Sequence, residues 1–216
     1  KQFIEYDNPF DVGMTGLLGF ASGYRALANC DTLLMLGTDF PYRPFLPEKA
    51  TVIQLDLRGE HLGRRIPLDL GLVGDVRDTL DELLPLLSRH QNRKHLDDCL
   101  DHYAKTRAKL DELATPRKDD EPLHPQYVAK LLNELADDDA IFIPDVGTPV
   151  IWAARYLRMN GKRSLLGSFV HGSMANALPQ ATGAAVAQPG RQVVALSGDG
   201  GVTMLLGELL TLTQNH

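Results

Sequence analysis

Apolar residues fall along this chain in two alternating patterns. Short apolar runs closed by Gly or Asp read as buried parallel strands, and residues 32–36, 52–56 and 70–73 are three of them. Between the first two runs, GTDFPYRPFLPEK is too rich in proline to form a helix. Asp75 precedes Val76, Leu80, Leu83 and Leu84 at helical spacing, which predicts a capped helix to about Leu87. A second amphipathic helix is predicted over about 94–113.

The stretch ATPRKDDEPLHP, residues 114–125, combines three prolines with a cluster of charges and reads as a linker. A helix is predicted from near Pro125, with Tyr127, Val128, Leu131, Leu132 and Leu135 on one side. Residues 140–143 form a strand pattern, followed by a helix holding Trp152 and a short strand near Leu165 and Leu166. A helix of small residues over about 174–187, a strand at 192–196 and a last helix from Val202 to Leu212 complete the pattern. Strands alternating with helices predict an α/β fold, with parallel sheets flanked by helices and right-handed crossovers. Ligands in such sheets bind at the carboxyl ends of the strands.

Composition narrows the partners. The net charge is −6 with both signs mixed, and no basic stripe marks a nucleic-acid surface. Cys30 and Cys99 fit no zinc or disulfide spacing. The first ten residues do not form a signal peptide, and no apolar run is long enough to cross a membrane. The abrupt start without Met leads to the expectation that the chain is a piece of something longer.

Three polar stretches fall at strand ends or helix starts: Asp145-Val146-Gly147-Thr148, Gly172-Ser173-Met174 and Gly198-Asp199-Gly200-Gly201. Glycines let a ligand approach the backbone, and amides at a helix start favour phosphate. A carboxylate among them fits if a hard cation such as Mg²⁺ bridges it to a diphosphate. The dinucleotide fingerprint G-x-G-x-x-G fails at Thr203. Alone, the third stretch reads better as a tight turn with Asp199 as helix N-cap, and Asp145 as a cap or turn residue. Trp152, Tyr156 and Leu157 read as core, and His171 as a loop residue.

The order of longer stretches reverses that weighting. GSFVHGSMANALPQATGAA followed by VVALSGDGGVTM resembles the diphosphate-binding domain of thiamine-diphosphate enzymes. EYDNPFDVGMTGLLGFASGY, LLMLGTDFPYR and QLDL resemble the FAD-binding middle domain of pyruvate oxidases, including the quinone-linked bacterial pyruvate dehydrogenases. DVGTPVIWAARYL extends the likeness to nearly the whole chain.

The resemblance implies a partial FAD-binding, Rossmann-like domain over 1–114, a linker over 115–123 and the first part of a thiamine-diphosphate domain over 124–216. It implies FAD contacts at Thr15, Gly16, Leu17 and Leu18, then at Thr38, Asp39, Phe40, Pro41 and Tyr42. A third set runs through Asp56, Leu57, Arg58, Gly59, Glu60 and His61, with Asp56 like the acidic residue that binds a ribose. Relatives often have Asn-Pro-Ala where this chain has Arg58-Gly59-Glu60. For thiamine diphosphate it implies contacts at Gly172, Ser173, Met174, Asp199, Gly200 and Gly201, with Asp199 as a Mg²⁺ ligand and 145–148 as a second line of contact.

The implied activity is oxidative decarboxylation of pyruvate to acetate and CO₂, with electrons passing through FAD to ubiquinone. The thiazolium ring would serve as electron sink, and no side-chain nucleophile is required. The implied partners are ubiquinone, membrane lipid through a C-terminal region, and further copies of the chain in a tetramer. The implied setting is the cytoplasm at the inner face of the cell membrane. The activating glutamate and the paired asparagines of the family are expected outside this sequence, so this stretch alone is expected to be inactive. The alternatives are an acetolactate synthase, a phosphate-dependent pyruvate oxidase, and a non-catalytic flavin- or nucleotide-binding module.

Overall fold

The computed structural model describes residues 6–118 and 120–215; the other residues of the 1–114 and 115–123 segments, and His216, lie outside the described residues. Two compact units divide the chain, one formed by Phe10–Arg107 and the other by Lys1–Pro9 with Ala108–His216. The division falls inside a helix, seven residues before the 115–123 stretch begins.

The Phe10–Arg107 unit is a three-stranded parallel sheet. Its strands β1 (Thr32–Leu36), β2 (Thr51–Asp56) and β3 (Leu70–Val73) lie in the order β1-β2-β3. β2 has a neighbour on each side and buries Val52, Gln54, Leu55 and Asp56, whereas β1 buries only Met35 and every residue of β3 is exposed. Helix α1 (Ala21–Ala28) is missing from the apolar pattern because Ser22 and Gly23 are its buried residues. A Cβ at Gly23 would fall on the Met14 carbonyl oxygen, so close backbone approach decides that position.

Helix α2 (Val76–Leu83) starts where predicted, with Asp75 Oδ1 accepting from the amides of Arg77 at 2.8 Å and Asp78 at 3.2 Å. It ends earlier than predicted. Pro85 has no N–H for the next α-helical bond, and Leu84–Leu86 tightens into a 3₁₀ turn. Another 3₁₀ turn, Arg43–Phe45, lies in the proline-rich stretch after β1. Helix α3 (Lys94–Leu113) has the predicted bounds.

The other unit is built around β4 (Ile141–Pro144), which lies between β5 (Ser164–Leu165) and β6 (Val193–Leu196), all parallel. All four β4 residues are buried, and their side chains alternate between two layers. Ile141 and Ile143 pack on Ala177, Ala181 and Ala184 of α6 (Ala177–Ala187), whose small residues allow close approach. Phe142 packs with Ala153 of α5 (Thr148–Tyr156), the following Leu157, and partly buried Leu132 of α4 (Pro125–Leu135). Tyr156 and Leu157 are core residues, as the spacing predicts.

Three expectations change in this unit. The buried face of α4 is set by Gln126 and Ala129, while Val128 and Leu135 are exposed. Gln126 is buried because its Nε2 donates to the Tyr156 hydroxyl at 2.8 Å. Helix α6 starts at Ala177 rather than 174, because Ala175 takes a left-handed conformation at φ +63°. The predicted last helix is two short ones, α7 (Asp199–Met204) and α8 (Glu208–Gln214), parted where Leu205 leaves helical geometry at φ −127° and ψ 39°.

Candidate functional site

At the carboxyl ends of β1 and β2, the structure gathers the three stretches that the resemblance assigns to FAD. Gly16 takes φ +85°, and a Cβ there would lie 3.1 Å from Tyr42 and 3.2 Å from Phe40, so the Thr15–Leu18 turn packs on the post-β1 loop. Buried Gln54 ties that loop to the next. Its Nε2 donates to the carbonyls of Thr38 at 3.4 Å and His61 at 3.3 Å, and its Oε1 accepts from the Gly63 amide at 3.1 Å. Leu17 and Leu57 are exposed at this end.

The acids here already have partners. Asp39 is clamped by Arg65, Nε to Oδ1 at 2.9 Å and Nη2 to Oδ2 at 3.0 Å, with Arg64 Nη1 also 3.0 Å from Oδ2. The Arg65 hydrogen bonds hold the Asp39 carboxyl below the usual carboxylate range. Asp56 Oδ1 accepts from the Arg58 amide at 2.9 Å and sits 3.3 Å from His61 Nδ1. The Arg58 amide, and then His61, lower its pKa as well. Asp56 thus closes its own turn, the role its position at a strand end allows.

The second strand-end cluster lies at β4 and β6. Asp145, directly after β4, is 2% exposed. Its Oδ1 accepts from the Val146 amide at 3.0 Å, the Asn176 amide at 3.2 Å and Asn176 Nδ2 at 2.8 Å. Its Oδ2 accepts from the Ala175 amide at 3.0 Å and Ser197 Oγ at 2.9 Å. Gly201 is buried against the same carboxylate: a Cβ there would fall on Asp145 Oδ2 and 2.7 Å from Ser197 Oγ. Asp145 is therefore neither a helix cap, a place taken by Gly147, nor a surface turn residue.

The segments implicated in thiamine-diphosphate binding surround this carboxylate. Gly172, with φ +72°, Ser173 and Met174 are exposed. The Gly172 and Ser173 amides donate to Ser168 O at 2.8 Å and Ser168 Oγ at 3.0 Å. Met174 Cε lies 3.8 Å from where a Gly200 Cβ would be, which brings 172–174 beside 198–201. Asp199 is the exposed first residue of α7, and Gly198, not Asp199, occupies the N-cap. Among the described residues, the Asp199 carboxylate has no hydrogen bond or ion pair. His171 is an exposed loop residue. Ser197, Ala175 and Asn176 are the contributors the sequence reading missed. Ser197 adjoins the Gly-Asp-Gly stretch, but nothing in the apolar pattern marks an alanine as left-handed.

This arrangement suits a diphosphate carried by a divalent cation. Asp199 offers a free hard oxygen ligand at the carboxyl end of the sheet, beside glycine backbone that a ligand can approach. Among the described residues no three His, Cys, Asp or Glu side chains form a metal cluster; a cation held here would take Asp199 as one ligand and diphosphate oxygens as others.

The fold and this site are those of a cofactor-binding α/β protein. Comparison with known families makes the class definite: "Thiamine pyrophosphate enzyme, central domain" matches residues 1–83, and "Thiamine pyrophosphate enzyme, C-terminal TPP binding domain" matches 145–216. The chain belongs to the thiamine pyrophosphate enzymes.

It is 37% identical over 211 residues to the "Putative thiamine pyrophosphate-containing protein YdaP" of Bacillus subtilis, covering 98% of this chain and 36% of that protein. It is 36% identical over 209 residues to an acetolactate synthase of Mycobacterium bovis, covering 93% and 34%. An "Uncharacterized 42.6 kDa protein in isoamylase 3'region" of Pseudomonas amyloderamosa is 60% identical over 122 residues, covering 56% and 31%. The chain spans about a third of the length of these relatives. Of these three names, one carries thiamine pyrophosphate and one acetolactate synthase, and none names a pyruvate oxidase.

Proposed function

We propose that the whole protein decarboxylates pyruvate or a close 2-keto acid and passes the two-carbon unit to a second keto acid, as in an acetolactate synthase. Relatives of that name in Mycobacterium bovis and Lactococcus lactis support the reading, at 36% and 31% identity over nearly all of this chain. The observation that carries it is the exposed, unpaired Asp199 beside Gly172–Met174 at the carboxyl end of the β4–β6 pair. Bound thiamine diphosphate supplies an electron sink for loss of the carboxylate. This chain's own part is to hold it: Asp199 ligates Mg²⁺, Gly200 leaves its backbone open to the diphosphate, and Met174 lines the approach. In this reading FAD undergoes no net redox change.

A second reading is oxidation of pyruvate to acetate, with electrons passing through FAD to ubiquinone, in a tetramer at the inner face of the cell membrane. The gathering of Thr15–Leu18, Thr38–Tyr42 and Asp56–His61 at one end of the first sheet would hold the FAD that both readings carry. Among the described residues no helix is long and apolar enough to cross a membrane. Product analysis of the full-length protein with pyruvate, Mg²⁺ and thiamine diphosphate separates the two. Acetolactate supports the first; acetate with quinone reduction supports the second. Acetyl phosphate, or no turnover of any 2-keto acid, refutes both.

A further inference from the structure

The most buried charged group at the proposed site cannot itself touch a ligand. Asp145 is 2% exposed, yet its two oxygens accept from five groups. Those groups belong to three chain segments: its own turn, the 175–176 turn that follows Gly172–Met174, and Ser197, which precedes Gly198–Gly201.

The surrounding backbone is strained to meet this carboxylate. Ala175 takes φ +63°, a left-handed conformation unfavourable for a side chain with a Cβ, and its amide donates to Oδ2. Asn176 directs Nδ2 at Oδ1 and at the Ser173 carbonyl, 2.9 Å away, and this orientation leaves its own Oδ1 buried without a partner. Turning the amide over would aim that oxygen at the carboxylate. Gly201 lacks the Cβ that would displace Oδ2. Local strain that the surroundings over-determine collects at ligand sites, where it fixes geometry in advance.

We propose that Asp145 is a positioning residue for thiamine diphosphate: it locks the Gly172–Met174 turn against the Gly198–Gly201 loop, so that Met174, Gly200 and Asp199 are held ready for the cofactor. This rests on the assignment of thiamine diphosphate to these two stretches. An asparagine at 145 keeps the shape but must present N–H groups where donors already point. In either orientation at least one backbone amide loses its acceptor.

The test is calorimetric titration of Mg²⁺ and thiamine diphosphate into the full-length protein, its Asp145→Asn variant and its Ser197→Ala variant. Ser197→Ala removes only the link to the β6 side. Amide hydrogen exchange at Ala175 without cofactor and kcat at saturating cofactor are measured alongside. Asp145→Asn is expected to raise the cofactor dissociation constant about tenfold or more, with loss of Ala175 protection and kcat changed less than about threefold. Ser197→Ala is expected to raise the constant about threefold, and this arm decides if Asp145→Asn does not fold. Unchanged affinity in folded Asp145→Asn, or in Ser197→Ala when that arm decides, overturns the proposal. A wild-type protein that binds no thiamine diphosphate overturns the cofactor assignment itself. Lost Ala175 protection in the same preparation would then leave Asp145 as a brace for the loops alone.

Discussion

Replacing Gly201 with alanine places a methyl group on Asp145 Oδ2 and 2.7 Å from Ser197 Oγ. Neither neighbour is the free end of a flexible chain, because both are fixed in the Asp145 network. Overpacking of this kind costs about 1–3 kcal/mol if the backbone yields. If the carboxylate retreats instead, hydrogen bonds from Ala175 and Ser197 weaken, each worth roughly 1.5–3 kcal/mol to a charged acceptor. The two ranges meet at a loss of about 3 kcal/mol. With a urea m-value of about 2 kcal/mol/M, the midpoint should fall by about 1.5 M. Trp152, the single tryptophan of the chain, lies in α5 of the same unit and reports the transition by fluorescence. Gly200→Ala is the control. Its Cβ would meet only Met174 Cε at 3.8 Å, and alanine in a helix is favoured over glycine by about 0.5–1 kcal/mol. A midpoint for Gly201→Ala within about 0.3 M of the unsubstituted chain, by the same m-value, would refute the packing argument.

Tyr156→Phe removes a hydroxyl that donates to the Leu110 carbonyl and accepts from buried Gln126, both at 2.8 Å. Stranding those partners should cost about 2 kcal/mol and lower the thermal midpoint by about 5 °C; a shift under about 1 °C would contradict it. Asp39 has its pKa depressed in the fold by Arg65, so its contribution is complete above the unfolded value near 4 and is lost as pH falls through the lower folded value. Arg65→Gln should therefore flatten the loss of stability on acidification below about pH 4, read from denaturant midpoints at a series of pH values. Identical pH slopes for the two proteins would remove Arg65 as the cause.

The alternation of strands and helices was legible because burial follows period on both sides of β4, and each of the six strand patterns lies on a strand. Helix ends were less legible. At Pro85 local chemistry breaks a periodicity that continues through the break, and at Leu205 the backbone leaves the helix with no proline or glycine at that residue to mark it. The buried face of α4 departed from the pattern because Gln126 has a hydroxyl partner thirty residues away, which no local period records. At the proposed thiamine-diphosphate site, the glycine-flanked Asp199 read by itself as a turn or cap residue, and only the order of the longer stretches around it made it a candidate. The hydrogen-bond network of Asp145 was not legible, since its five donors lie up to fifty-two residues distant and one depends on an alanine in a left-handed conformation. Gly201 shows the difference most plainly. In the sequence it is one more residue open to a diphosphate; in the fold its missing side chain makes room for Asp145.

The proposal that Asp199 holds the magnesium ion of a thiamine-diphosphate site turns on one exposed carboxylate. Its most direct test is calorimetric titration of thiamine diphosphate into the full-length protein and its Asp199→Asn variant, over a range of Mg²⁺ concentrations. Asp199 is exposed and caps no helix, so the variant should fold normally. Binding to the wild type is expected to depend on Mg²⁺, and binding to the variant to be at least tenfold weaker, equivalent to about 1.4 kcal/mol. Equal affinity of the two proteins at every magnesium concentration would contradict it.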